Sequence, residues 1–186
     1  MIHLYITRHG ETEENVRRVL QGQMPGHLNQ TGIQQAEDLR DKLKEQRFDA
    51  IITSDLKRAV DTAEIISQPH GGKYTLEPLL RERDFGIHTG GPYISISHAL
   101  DPSAETMEQV SQRAADFLNK MVLEHDGETV LAVSHGLFLR VLQAVFYGVE
   151  TRAIARMENA EVRLLELKPD MHFQVVTQTE VGGTAN

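Results

Sequence analysis

The sequence predicts an α/β protein, a three-layer α/β/α sandwich built on a mostly parallel central sheet. Three observations carry that expectation. The runs containing Ile2, Leu4, Tyr5 and Ile6 and Val130, Leu131, Ala132 and Val133 are apolar on both faces, as in central strands covered on each side. Strand and helix patterns alternate along the chain, which places helices on both faces of one sheet. Each buried run also breaks off into a histidine and a glycine, Arg8-His9-Gly10 and Ser134-His135-Gly136. In a parallel sheet both histidines reach the same edge, the edge at which open α/β sheets bind ligands, and Gly10 would let the backbone approach whatever binds there.

The elements follow in order. Glu11 to Gln30 is polar and contains the turn Met24-Pro25-Gly26, so it reads as loop with one short helix. Thr31-Gly32-Ile33-Gln34 has the form of a capping box, and Ile33, Ala36, Leu39 and Leu43 recur at spacings of three and four. This predicts an amphipathic helix to about Gln46. Phe48 to Thr53 is a second strand, after which Ser54 or Asp55 caps a helix reaching Ile66. Arg58 stands one turn into that helix, where free N–H groups and the helix dipole favour an anion.

Pro69-His70-Gly71-Gly72 precedes a short strand at Tyr74-Thr75-Leu76. Gly86 to Ser103 has no long period and predicts a loop or small cap insertion. Thr106 to about Glu124 carries Met107, Val110, Ala114, Phe117 and Met121 on one helical stripe. The Asp126-Gly127 turn leads into the strand that ends at Ser134, and Leu137 to Phe146 is a helix closed by Gly148. Val162–Leu167 and Phe173–Thr177 are expected to close the fold as an antiparallel pair across Pro169-Asp170, with Gly182 to Asn186 frayed.

Composition narrows the function classes. A chain of 186 residues fits one domain with a sizeable core, and 40% hydrophobic with 25% charged content excludes a disordered class. A net charge of −8 argues against non-specific nucleic-acid binding but not against a small anion held by a few arginines. No apolar run approaches the roughly 18 residues of a membrane span. Without cysteine there are neither disulfides nor thiolate metal sites, and the first residues lack the basic and apolar regions of a signal peptide. The expected compartment is cytoplasmic.

Two histidines converging with Arg8 and Arg58 make a site for a tetrahedral anion with a nucleophile in it. Taken singly, each residue has a plainer reading: a histidine hydrogen-bonded at a strand end, a solvated helix arginine, or, for Glu82 between Arg81 and Arg83, a surface ion pair. Taken in order they are more specific. The opening Arg8-His9-Gly10-Glu11-Thr12 with Asn15 is followed by Thr53-Ser54-Asp55-Leu56-Lys57-Arg58-Ala59. Leu80-Arg81-Glu82 then leads to Phe85-Gly86, and Ser134-His135-Gly136 comes last. By these motifs the chain resembles the histidine phosphatase superfamily, in the branch that includes the phosphoglycerate mutases, over nearly its whole length.

The resemblance implies roles. His9 would attack phosphorus and form a phosphohistidine, its other ring nitrogen held by a backbone carbonyl. Arg8, Arg58 and His135 would bind the non-bridging oxygens and stabilise the transferring group. Glu82 matches the general acid and base, and Asn15 and Gln21 match positions lining the phosphate pocket. Neither a metal nor a cofactor is implied. The expected activity is hydrolysis of a small phosphomonoester. The alternatives are a phosphoglycerate mutase-type phosphotransferase, a protein phosphohistidine phosphatase and a catalytically silent phospholigand-binding protein.

Departures fall around the leaving group. Glu14 stands where the family often has an aromatic residue, Thr89-Gly90 where it often has a glutamate before a glycine, and Ala104-Glu105-Thr106 where Gly-Glu-Ser is frequent. A mutase goes with a longer insertion after the acid and a Pro-Thr-Gly-type segment; here the insertion is short and Met157 to Val162 carries no such motif. Tyr93, Ile94 and Ile96 read as a cap or a small interface, leaving the oligomeric state open, and His88 and His98 as cap or solvent residues. His3, His27, His70, His125 and His172 match no motif.

Overall fold

In the computed structural model, which describes residues 1–93 and 100–175, five strands form one sheet: β1 (Ile2–Arg8), β2 (Ala50–Thr53), β3 (Thr75–Leu76), β4 (Thr129–Ser134) and β5 (Val162–Leu167). Their order is β3-β2-β4-β1-β5, with β5 antiparallel to β1 and the other pairings parallel. The register sets Arg8 opposite Ser134. The next residues along, His9 and His135, therefore leave the sheet side by side at its carboxyl edge, and His9 N–H donates to Ser134 O at 3.0 Å.

Alternation along the strands separates two cores. Leu4, Ile6, Val130 and Ala132 pack with α4 (Met107–Glu124) and α5 (Gly136–Tyr147). Ile51 and Leu131 face the other way, against Leu39 and Leu43 of α2 (Gln30–Leu43) and Ile66 of α3 (Lys57–Ser67). The sheet is therefore the middle of three layers, as expected. The polar stretch after β1 holds the one short helix, α1 (Glu13–Val16), and Gly148 closes α5 with φ 65°.

Three local expectations are corrected. First, α2 is capped by Asn29, whose side chain accepts the Gly32 N–H, so Thr31 lies inside the first turn, and the helix ends at Leu43 rather than near Gln46. Second, neither Ser54 nor Asp55 caps α3. Its N-cap is Leu56, and Pro25 O accepts the Arg58 N–H at 3.2 Å, so a loop carbonyl serves an amide that an anion or a capping side chain would otherwise take. Third, β5 pairs with β1 and not with a strand from Phe173. Asn119 of α4 takes both backbone groups of Phe173, donating to its O at 2.9 Å and accepting its N–H at 2.8 Å, and 173–175 form no strand. Val176, Thr177 and Gly182 to Asn186 lie outside the described residues, as do Ile94, Ile96 and His98.

The described part of the cap stretch has one 3-10 turn, Gly86–His88, and then ties back to the loop after α1. Leu20 N–H donates to Gly91 O, Gly90 N–H to Leu20 O, and Tyr93 N–H to Arg18 O. Among the described residues, no helix is long and apolar enough to cross a membrane.

Candidate active site

His9 stands at the floor of a cleft at the carboxyl edge and is 2% exposed. Its Nδ1 lies 2.6 Å from Gly10 O. A carbonyl only accepts, so Nδ1 carries the proton and Nε2 presents its lone pair. Burial first, and then Arg58 and Arg8, hold the ring well below the usual histidine range, so it is neutral. Gly10 serves packing more than ligand approach. A Cβ there would sit 2.4 Å from Gly32 O, so the loop and α2 meet backbone to backbone, and Gly10 N–H donates to Thr62 Oγ1 at 3.0 Å.

Arg58 is 1% exposed although charged. Its Nη2 donates to Gly22 O at 2.7 Å, its Nη1 to Met24 O, and its Nε to His9 Nε2 at 3.3 Å. The guanidinium thus ties the 22–25 turn over the nucleophile candidate, and burial draws it down to about 10. Arg8 donates from Nη1 to Met157 O at 2.8 Å, while its buried Nε has no partner. Its room comes from Gly136, where a Cβ would lie 3.1 Å from that Nε.

Glu82 is no surface ion-pair residue. Arg81 pairs with Asp55, Arg83 donates to Glu105 O, and Glu82 itself is 8% exposed. Its Oε1 accepts the N–H groups of Arg83 at 2.8 Å and Phe138 at 3.0 Å, and its Oε2 that of Leu137 at 3.1 Å. The first turn of α5 therefore receives an anion, as helix N-termini do, and the anion is a side chain of the protein.

His135 is fully buried beside His9, with ring centroids 5.3 Å apart, and lies behind the residues that line the cleft. Burial and Arg58 keep it neutral too. Its Nε2 is 2.8 Å from Ser54 Oγ, and its Nδ1 has no partner. Asn15 and Gln21 both line the cleft. Asn15 Oδ1 accepts from Thr12 N–H and Asn159 Nδ2, and the buried Gln21 Oε1 is unpartnered.

The structure thus brings six of the seven expected residues to the cleft and sets His135 against its wall. It adds others. Among the described residues the lining includes five arginines, Arg8, Arg58, Arg83, Arg140 and Arg156, against one carboxylate, Glu82. In a chain of net charge −8 this is a local inversion of sign. Arg140 lies one turn beyond Gly136 on α5, a spacing that was legible. Arg156, over the Tyr93 ring at 5.6 Å, and Asn159, which donates to His9 O at 3.0 Å, had no local signal. Tyr93 reaches the cleft; His88 does not, and its Nε2 accepts the Asp101 N–H.

An arginine-lined cleft over two buried neutral histidines, at the carboxyl edge of a mostly parallel sheet, is the architecture of an α/β enzyme that handles a small anion. Comparison with known proteins makes the class specific. The chain belongs to the histidine phosphatase superfamily (branch 1), whose family model matches residues 4–180. It is 34% identical over 172 residues to the "Probable phosphoglycerate mutase GpmB" of Cronobacter sakazakii, covering 84% of this chain and 80% of that one. It is 31% identical over 184 residues to the "Metal-independent phosphoserine phosphatase" of Arabidopsis thaliana, covering 89% and 76%. Among solved structures, Bacillus stearothermophilus YhfR superposes with a TM-score of 0.84 at 30% identity, over 97% of this chain and 98% of that one. The protein is an enzyme of this superfamily.

Proposed function

We propose that the protein is a metal-independent phosphatase hydrolysing a small phosphomonoester through a phosphohistidine on His9. The observation that carries this is the His9 tautomer: Nδ1 is committed to Gly10 O, so Nε2 keeps its lone pair, met here by Arg58 Nε–H at 3.3 Å, in a cleft whose described lining includes five guanidinium groups and one carboxylate. Nε2 attacks phosphorus in line, the P–O ester bond breaks, and the leaving oxygen takes the proton of Glu82, which enters this step as the neutral acid beside the substrate dianion and is left as the carboxylate. Water then gives a proton to Glu82 and attacks the phosphohistidine; the P–N bond breaks and inorganic phosphate leaves. Arg8, Arg58 and His135 stabilise the charge of the transferring group, with Asn15 and Gln21 fixing its oxygens. The arginines supply the positive charge that a metal ion supplies elsewhere.

A phosphate dianion leaves part of the guanidinium excess unmatched, which favours a small metabolite carrying a further anionic group. The name of the Arabidopsis relative points the same way, to phosphoserine. The likeness to the Cronobacter relative supports a second reading, a mutase-type phosphotransferase. One experiment separates them. Wild type and His9→Ala are mixed, without added metal, with an aryl phosphate, phosphoserine and 3-phosphoglycerate, and acid-labile, alkali-stable phosphate on the protein is followed with phosphate release. Release with a trapped phosphoenzyme that vanishes in His9→Ala is expected. Phosphate moving within 3-phosphoglycerate instead of into solution would make the mutase the activity. A folded protein with neither trapped phosphate nor release would leave only phospholigand binding.

A further inference from the structure

Ser54 is placed to do more than end a strand. Its N–H donates to Val133 O at 3.0 Å, so the β2–β4 ladder fixes its backbone one residue past β2. The side chain is fully buried, and Oγ accepts the Leu56 N–H at 3.2 Å while lying 2.8 Å from His135 Nε2. On the far side of the same imidazole, Nδ1 is buried with no partner.

Two neutral tautomers are open to this ring, and counting hydrogens separates them. If Nε2 carries the proton, Ser54 Oγ accepts twice, its own hydroxyl proton has no acceptor, and Nδ1 is a buried lone pair without a donor. If Nδ1 carries it, Ser54 accepts from Leu56 and donates to Nε2, so both groups are satisfied. One donor is then left unmet, the Nδ1–H of a buried ring that packs against His9. An unmet buried donor is costly, and an anionic oxygen relieves it where a second lone pair would repel. With Nε2 occupied by Ser54, Nδ1 is the ring nitrogen left to serve a ligand.

We propose that Ser54 is a positioning residue that holds His135 as its Nδ1–H tautomer, so that His135 meets the phosphoryl group as a hydrogen-bond donor. The identity of the anion rests on the phosphatase reading; the tautomer does not. The serine that the sequence offers as a helix cap instead couples two motifs, its hydroxyl accepting the Leu56 N–H at the start of α3 and donating to Nε2 of the histidine that follows β4.

The test reads the ring directly. In protein labelled with 15N-histidine, with His135→Ala used for assignment, the unliganded wild type is expected to show a protonated, pyrrole-type Nδ1 and a pyridine-type Nε2 at His135. Inorganic phosphate should shift the Nδ1 resonance. Ser54→Ala should mix the tautomers and lower kcat roughly 10- to 100-fold, the scale seen when a metal-ligating histidine loses its orienting partner, with a smaller change in KM. Ser54→Thr, which keeps the hydroxyl, should restore both. In a His135→Ala background Ser54→Ala should cost little more, because its effect runs through the imidazole.

An Nε2–H ring in the wild type would overturn the proposal even if Ser54→Ala failed to fold. So would an equal kinetic loss with and without the His135 imidazole. A protein with the Nδ1–H ring and a phosphate-induced shift but no turnover would uphold the role of Ser54 and overturn the phosphatase reading. Turnover through His9 with an Nε2–H ring would do the reverse.

Discussion

The carboxylate of Glu82 and the backbone N–H of Phe138 meet at 3.0 Å, which joins the proposed acid to the first turn of the helix that follows His135. Glu82→Ala leaves that N–H and those of Leu137 and Arg83 without their acceptor. Stability should fall by about 1–3 kcal/mol in urea unfolding, the usual cost of stranding buried polar groups. If Glu82 also gives the leaving oxygen its proton, kcat falls far more for alkyl phosphates than for an aryl phosphate with a good leaving group. Equal losses across leaving groups would remove the acid role.

Arg58 spends three of its N–H donors on Gly22 O, Met24 O and His9 Nε2 at once, which is the use of a rigid fork. Lysine keeps the charge and loses the fork. Arg58→Lys is expected to lower kcat by roughly 100- to 1,000-fold, the scale for removing one preorganised donor to a transition state. It should also loosen the turn over His9, read as faster proteolysis within residues 20–26. A variant with near-normal kcat would reduce Arg58 to a generic positive charge.

His9 and His135 are both held below the ordinary histidine value of 6.5, chiefly by burial, and the less buried His70 shifts the same way. As pH falls through that value the unfolded rings take up protons and the folded rings do not. The unfolded state therefore binds more protons, and folding stability drops with falling pH by up to about 1.4 kcal/mol per pH unit for each of His9 and His135, with a smaller part from His70. The loss begins near pH 6.5 and continues down to the depressed folded values. Urea unfolding between about pH 7.5 and 5.5 should show this slope, and His135→Asn should flatten it. An unchanged slope in that variant would mean that His135 is not buried neutral. Because His9 is already neutral, kcat/KM should not fall with an ordinary histidine titration.

Gly32 abuts Glu11 so closely that a Cβ would sit 2.1 Å from Glu11 O. Backbone cannot yield as a flexible side chain does, so Gly32→Ala should cost at least the roughly 1–3 kcal/mol of overpacking and displace the His9 loop. Gly136→Ala meets the guanidinium of Arg8 at 3.1–3.3 Å instead, and a side chain can move. Its expected effect is a weaker competitive inhibition by inorganic phosphate with little change in the thermal midpoint. A large stability loss in Gly136→Ala would contradict this division.

What the sequence by itself determined was whatever depends on side-chain type at short range. The apolar runs of β1 and β4, the stripe of α4 and the closure of α5 at Gly148 were legible because burial and helical period are written in consecutive residues. The histidines were legible as a pair because each ends such a run, and the parallel register of Arg8 with Ser134 brought them together. The α2 cap shows where local reading stops. Asn29 and Thr31 are both capping types, and the observed start joins the Asn29 side chain to Gly32, whose backbone is pressed against Glu11.

What only the tertiary structure decided was every partnership made by backbone groups or by distant chain. Asn119 claims both backbone groups of Phe173 across 54 residues, and the described residues 173–175 form no strand. Leu137 and Phe138 hold Glu82 through N–H groups that any residue other than proline would supply, so their sequence identity carried no sign of it. Met157 O for Arg8, Asn159 for His9, and Arg156 at the cleft depend on β5 pairing with β1. The local pattern therefore gave the chemistry its residues, while their positions were set by hydrogen bonds between parts of the chain that meet only when the sheet has formed, and the neutrality of the two histidines by the burial that comes with it.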